Sequence, residues 1–170
     1  MNLDDAKTGI AYNGWATRLL LDALRGLSDE ELERDLGGSF GSVRGTLRHI
    51  LWGERGWLSY WKTGEFVPEP TPADLPDLAS LTAEWDRHDA EKDAFVGGLT
   101  EERLSERVMV DDDAYVLGEL VQNVLVHSIH HRGQIVHMLR ELGHAPPETG
   151  FRHFLTDRRR SRARPPRPSR

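Results

Sequence analysis

An all-α chain, folded as a four-helix bundle with a short C-terminal helix, is what this sequence predicts, and three observations predict it. Four long segments carry apolar side chains at three- and four-residue steps, the spacing of a helix with one buried face. Start and stop residues bound those segments where helices need them. Strand-like alternation is confined to one short stretch.

The first helix covers roughly residues 3–26, with Ile10, Trp15, Leu19, Leu20, Ala23, Leu24 and Leu27 in step. Ser28 then opens a short acidic turn, SDEEL, with Glu31 three residues on, the spacing of a capping box. The Gly-rich DLGGSFGS reads as a loop, and Ser42 is placed to cap a second helix over roughly 43–62. Its apolar face is Val43, Leu47, Ile50, Leu51, Trp57, Leu58 and Trp61, with His49 and Trp52 beside it. Residues 63–76 hold four prolines and form a long loop of the kind that lines pockets. A charged third helix fits 78–97, followed by TEERL, which echoes SDEEL and hints at two related halves. Residues 105–115 read as short extended segments around an acidic turn. The fourth helix runs from about 117 to 142 and stops at Gly143. Residues 149–157 form the short final helix, with Phe151, Phe154 and Leu155 turned back onto the bundle.

Composition narrows the function. The chain has no cysteine, which excludes disulfides, thiolate ligands and a cysteine nucleophile. No run of 18 apolar residues is present and the N-terminus lacks a basic-then-apolar pattern, so no membrane span and a cytoplasmic location are expected. The net charge of -6 is unevenly spread: residues 158–170 carry seven Arg and no acid, which leaves -13 on residues 1–157. Residues 1–157 are therefore read as one acidic domain and 158–170 as a disordered Arg/Pro-rich tail. An acidic body repels nucleic acid, so only weak contact through the tail is expected.

The stretch VLVHSIHHRGQIVHML places four of the eight histidines in the fourth helix. His127 and His131 are one turn apart on one face, close enough for two imidazoles to reach one ion. A third ligand must come from another element, and His49, mid-helix beside an apolar face, is the best placed. His88, His144 and His153 rank below it. An i,i+4 histidine pair is more often a surface or hydrogen-bonded pair than a metal site, and residue chemistry alone leaves the two readings level. Glu54 is five residues past His49, about 140° round the helix, which makes it a poor ligand, a weak general-base candidate and more simply a solvated acid. Gln134, three residues after His131, is placed to orient a ligand. Trp52, Trp57 and Tyr60 are weak candidates for a substrate-pocket wall, against an ordinary core role. Arg132 is expected to pair with an acid, and Gly133 to admit a neighbouring helix.

Three separated motifs then resemble one family. His127-Ser128-Ile129-His130-His131-Arg132-Gly133-Gln134 is similar to the H-x-x-H-H-R-G-Q signature of the DinB family. SFGSVRGTLRHILWGERGWLSYW resembles its second helix and YNGWATRLLLDAL its first, in the right order, over residues 5–157. The closing segment departs from the family's pattern at Gly150. The resemblance implies an up-down-down-up four-helix bundle of the DinB/YfiT-like superfamily. It implies one divalent metal held by His49, His127 and His131, with His130 a non-ligand, and a homodimer. It further implies a thiol-dependent S-transferase acting on small electrophiles, with a low-molecular-weight thiol as cosubstrate, or a metal-dependent hydrolase. The alternative is a metal- or ligand-binding stress protein without turnover. Histidine-only ligation suits zinc, the default, with nickel, iron or manganese also open.

Overall fold

The computed structural model describes residues 1–163. Four long helices, α1 (Leu3–Leu24), α3 (Val43–Thr63), α4 (Leu78–Gly97) and α6 (Leu117–Glu141), alternate with the short α2 (Asp29–Glu33) and α5 (Glu101–Leu104). A hairpin of β1 (Arg107–Val110) and β2 (Asp113–Val116) precedes α6, and α7 (Phe151–Ala163) follows it. The chain is mostly helical, as its periodicity predicts, and the extended stretch is a single antiparallel pair with Arg107 opposite Val116 and Val110 opposite Asp113. Among the described residues, no helix is long and apolar enough to cross a membrane.

The helix starts follow local chemistry. Asn2, Ser42, Asp77 and Thr100 each accept a hydrogen bond from a backbone N–H of the first turn they precede, satisfying a donor the helix leaves unpaired. The predicted Ser28–Glu31 capping box is present on α2. Past the end of α6, Gly143 takes φ 82, the left-handed conformation that ends the helix, and the N–H of His144 bonds back to Leu139 O at 2.9 Å.

Side-chain contacts give the helix directions. Arg18 of α1 meets Asp86 and Asp89 of α4, while Gly14 faces Lys92, so α1 and α4 run antiparallel. Glu54 of α3 bonds His88 of α4 and Trp61 packs on Phe95, so α3 and α4 run the same way. Thr46 of α3 touches Met138 of α6 and Glu54 bonds Ser128, an antiparallel order. Gly9 of α1 lies against Leu125 and Asn13 bonds Arg132, so α1 and α6 are parallel.

Two apolar clusters fill the interior. One joins Leu20, Leu21, Leu24, Val43, Leu47, Ile50, Leu51, Leu81, Trp85, Ile135 and Leu139. The other joins Ala6, Leu58, Trp61, Leu99, Leu104, Leu117, Leu120 and Val121. Between them along the helices lie the buried polar residues Asn13, Glu54, His88 and Ser128, one from each long helix.

The final helix is longer than the sequence indicates. Phe154 is buried against Tyr12 and Trp15 of α1, and the Tyr12 hydroxyl donates to Thr149 O at 3.0 Å, so the segment after Gly150 docks. The helix then continues past 157 to Ala163, which takes the first six residues of the expected disordered tail into a helix. Arginine is a good helix former and favours helix C-termini, and Arg158 donates to Thr8 Oγ1 at 3.2 Å. The rest of that tail, residues 164–170, lies outside the described residues. Phe154→Ala should remove the main anchor of α7 at a cost of about 3 kcal/mol. Hydrogen exchange should then show α7 amides losing protection while α3 and α6 keep theirs.

Candidate metal centre

Three histidines converge between α3 and α6. His49, His127 and His131 each offer a ring nitrogen, and these atoms all lie within 4.8 Å of one another, so the cluster could hold a metal ion. The Nε2 atoms of His49 and His127 are 2.9 Å apart. Nitrogens on a tetrahedral ion with bonds near 2.1 Å sit roughly 3.4 Å apart, so small ring movements reach that geometry. His131 is buried, whereas His49 and His127 are half-buried.

Each ring is held differently. The Nδ1–H of His131 donates to Gln134 Oε1 at 2.8 Å, which leaves Nε2 bare for a ligand role. The Gln134 amide N–H in turn meets His130 Nε2 at 3.3 Å, so His130 is turned outward into a supporting position. His127 fits a slot left by Gly53, where an added Cβ would lie 2.9 Å from its Cε1. His49 contacts Phe40, whose ring is stacked on it at 3.8 Å, and Trp52, tilted at 5.8 Å.

Electrostatics keep the cluster ready for a cation. Burial, followed by repulsion from His127 and His131, pushes His49 down to about 4. His127 is lowered by burial and by His131, with Glu54 opposing. Both imidazoles are neutral near pH 7, and neutral imidazole is the form that binds metal. Among the described residues no carboxylate joins the cluster, and an all-imidazole donor set suits zinc, nickel or iron better than magnesium or calcium.

Glu54 is not a solvated acid. It is 3% exposed, and its Oε1 accepts from Asn13 Nδ2 at 2.6 Å and from the Ser128 hydroxyl at 2.8 Å. Its Oε2 faces His88 Nε2 at 3.2 Å. Burial alone would raise this carboxyl, but the His88 hydrogen bond and charge, with Lys92 and Asn13, outweigh it and hold the group below the usual range. Both oxygens of Glu54 are therefore engaged within the polar layer, away from the three histidines.

Other expectations sort on the same contacts. Gln134 hydrogen-bonds the cluster histidine His131, and Trp52 lies against His49 with its indole N–H fixed on Val67 O at 3.1 Å. Trp57 and Tyr60 lie eight and eleven residues beyond His49, about 12 and 16 Å along α3, packed with Phe66 and not with the histidines. Among the described residues Arg132 pairs with no acid: it donates to the Asn13 side-chain oxygen, which in turn neighbours the bond from Asn13 to Glu54, and lies over the Tyr12 ring. Gly133 faces open space; the glycine that makes room for a cluster histidine is Gly53, and the one that lets α1 and α6 approach is Gly9. His144 pairs with Glu31, and His153 lies by Glu148.

Sequence reasoning ranked His88 low because α4 is rich in charge and weakly patterned. A signal was present: Leu81, Trp85 and His88 follow a four-three step, and Glu54 continues the Leu47, Ile50, Leu51 stripe. A polar residue in a buried stripe is expected to carry partners.

Fold and site together define a class, a helical protein with a three-histidine cluster able to hold a metal ion. The chain belongs to the DinB family, whose model matches residues 2–162. It is similar to Protein DinB of Bacillus subtilis (strain 168), 27% identical over 161 residues, a match covering 85% of this chain and 91% of that one.

Two predictions follow from these charges. Glu54→Ala leaves the donors of three helices unpaired and should cost about 3–5 kcal/mol in urea unfolding, with Glu54→Gln costing less because it keeps acceptor capacity. Acidification should weaken the metal-free fold in two windows. His49 takes up its proton near 6.5 when unfolded and about 4 when folded, so its contribution is lost as pH falls between those values. Glu54, lowered from 4.5 to about 2, contributes fully above 4.5 and loses that contribution as pH falls toward 2. Urea midpoints across pH 7.5 to 4 should fall less steeply in His49→Gln, and an unchanged slope would contradict the His49 assignment.

Proposed function

We propose that the four long helices form an up-down-down-up bundle whose three-histidine cluster binds one divalent metal ion, zinc by preference, and that the protein is a metal-dependent enzyme acting on small molecules. The observation that carries this reading is the convergence of three imidazoles, among the described residues without a carboxylate, with His49 and His127 still partly exposed. Structural zinc sites are closed by four protein ligands, whereas three ligands and an open position are the catalytic pattern. When bound, such an ion supplies a Lewis acid that polarises a substrate oxygen or acidifies a thiol.

The chain's own residues divide the remaining work. Gln134 holds His131 in the tautomer that presents Nε2. Trp52, fixed by Val67 and tilted against His49, gives the cluster an aromatic neighbour suited to a small, partly apolar substrate. The chain has no cysteine, so a thiol nucleophile would have to be a cosubstrate. Transfer of a low-molecular-weight thiol to an electrophile is the favoured reaction, with hydrolysis of a small ester second. Binding without turnover is the reading from a different class.

Elemental analysis of tag-free protein tests the site. One divalent ion per chain is expected, lost on His49→Ala and on His131→Ala; metal content indifferent to both substitutions would overturn the assignment. Depletion of a thiol by a chloronitroarene and cleavage of a nitrophenyl ester then separate the reactions. A rate no higher than the metal-free control in both assays would leave the binding reading.

A further inference from the structure

His49 differs from its partners in what holds its ring. Metal-binding histidines ordinarily donate from the second ring nitrogen to an acceptor that fixes tautomer and orientation. His131 does so through Gln134, but His49 Nδ1 is buried with no hydrogen-bond partner. The contact in that place is aromatic: Phe40 lies on the His49 ring with centroids 3.8 Å apart and planes at 20°, and meets His131 edge-on at 5.4 Å.

We propose that Phe40 is a positioning residue for the three-histidine site, clamping the His49 imidazole by stacking in place of the missing hydrogen bond. The inference rests on the metal site proposed above. The chain is shaped to put the ring there. The Phe40 carbonyl accepts from Ser42 N–H at 2.7 Å, just before Ser42 caps α3. A Cβ at Gly45 would collide with that carbonyl, so a helix-weakening glycine stands where only glycine lets the loop close on α3. Gly41 continues the turn at φ 69, and Leu36 N–H bonds Gly41 O at 2.8 Å to close the loop. Trp52 also lies against His49, tilted at 5.8 Å, and is itself anchored at Val67 O. Stacking also suits a metal-bound imidazole, because bound metal makes the ring more positive and an aromatic face attracts positive charge.

The test uses full-length protein, wild type beside Phe40→Ala, Phe40→Leu, Phe40→Tyr and Gly45→Ala, with helix content checked by circular dichroism. Zinc affinity is read by chelator competition. Histidine ring signals of the metal-free protein are read by long-range proton–nitrogen correlation. Phe40→Ala and Phe40→Leu should weaken zinc by about tenfold or more, the usual effect of losing a residue that orients a ligand. His49 signals should move downfield and broaden as the ring current is lost, while the His131 Nδ1 signal stays. Phe40→Tyr should bind as wild type. Gly45→Ala, which leaves every ring in the chain, should follow Phe40→Leu. Leucine keeps apolar volume, so loss in that variant with helix content intact reports the aromatic face and not the fold. Wild-type affinity and unmoved His49 signals in both Phe40→Ala and Phe40→Leu would overturn the clamp while leaving the site. A wild type that takes up no zinc, yet whose His49 signals respond to Phe40, would overturn the site while leaving the clamp.

Discussion

A single buried carboxylate ties the four long helices together. Glu54 of α3 accepts from Asn13 of α1 and Ser128 of α6 and faces His88 of α4. Burying such a charge costs several kcal/mol unless its lone pairs are filled, and here each of the other long helices supplies a donor. Two apolar clusters lie on either side of this polar layer. Apolar packing alone tolerates sliding and rotation of one helix against another. Directional hydrogen bonds from three sides tolerate neither, so the layer sets the rotation and height of α3. Arg132 extends it, held on Asn13 and over Tyr12, and so links α6 to the face of α1 where α7 docks.

That constraint reaches the histidines through helix geometry. With Glu54 turned into the interior, His49, five residues earlier and about 140° round the axis, faces α6. Gly53, adjacent to the anchored Glu54, opens the slot that His127 occupies. Ser128, which bonds Glu54, is the neighbour of His127 in the chain. The polar layer and the cluster are therefore two faces of one arrangement. Three devices then hold three rings: a hydrogen bond on His131, a steric slot for His127 and aromatic stacking on His49. Each is already in place in the chain by itself, which limits the reorganisation that binding an ion would require.

Charge is distributed with the same economy. The acidic body and the Arg-rich end of α7 are of opposite sign, and α7 runs back along α1 with Arg158 on Thr8. Arginines that read as a free tail from composition are in part helix-ending residues on a docked element. Composition reports charge and proline content but not whether a preceding aromatic has found a place to bury. Phe154 has, against Tyr12 and Trp15, and the helix continues from there.

By itself the sequence determined the helical class, the approximate ends of the four long helices and the His127–His131 pair on one face of α6. These depend on local rules: a 3.6-residue repeat, capping residues one turn from their partners, and a motif whose spacing is set within one helix. Tertiary structure decided what depends on contacts between helices far apart in the chain. Glu54 could pass for a surface acid because its partners lie 41, 74 and 34 residues away. His88 sits among charged neighbours, and Phe40 lies in a loop whose closure against α3 depends on Gly45. Residue type fixes what a side chain can donate or accept, whereas its burial, and with it the strength of each such interaction, exists only once the helices have packed.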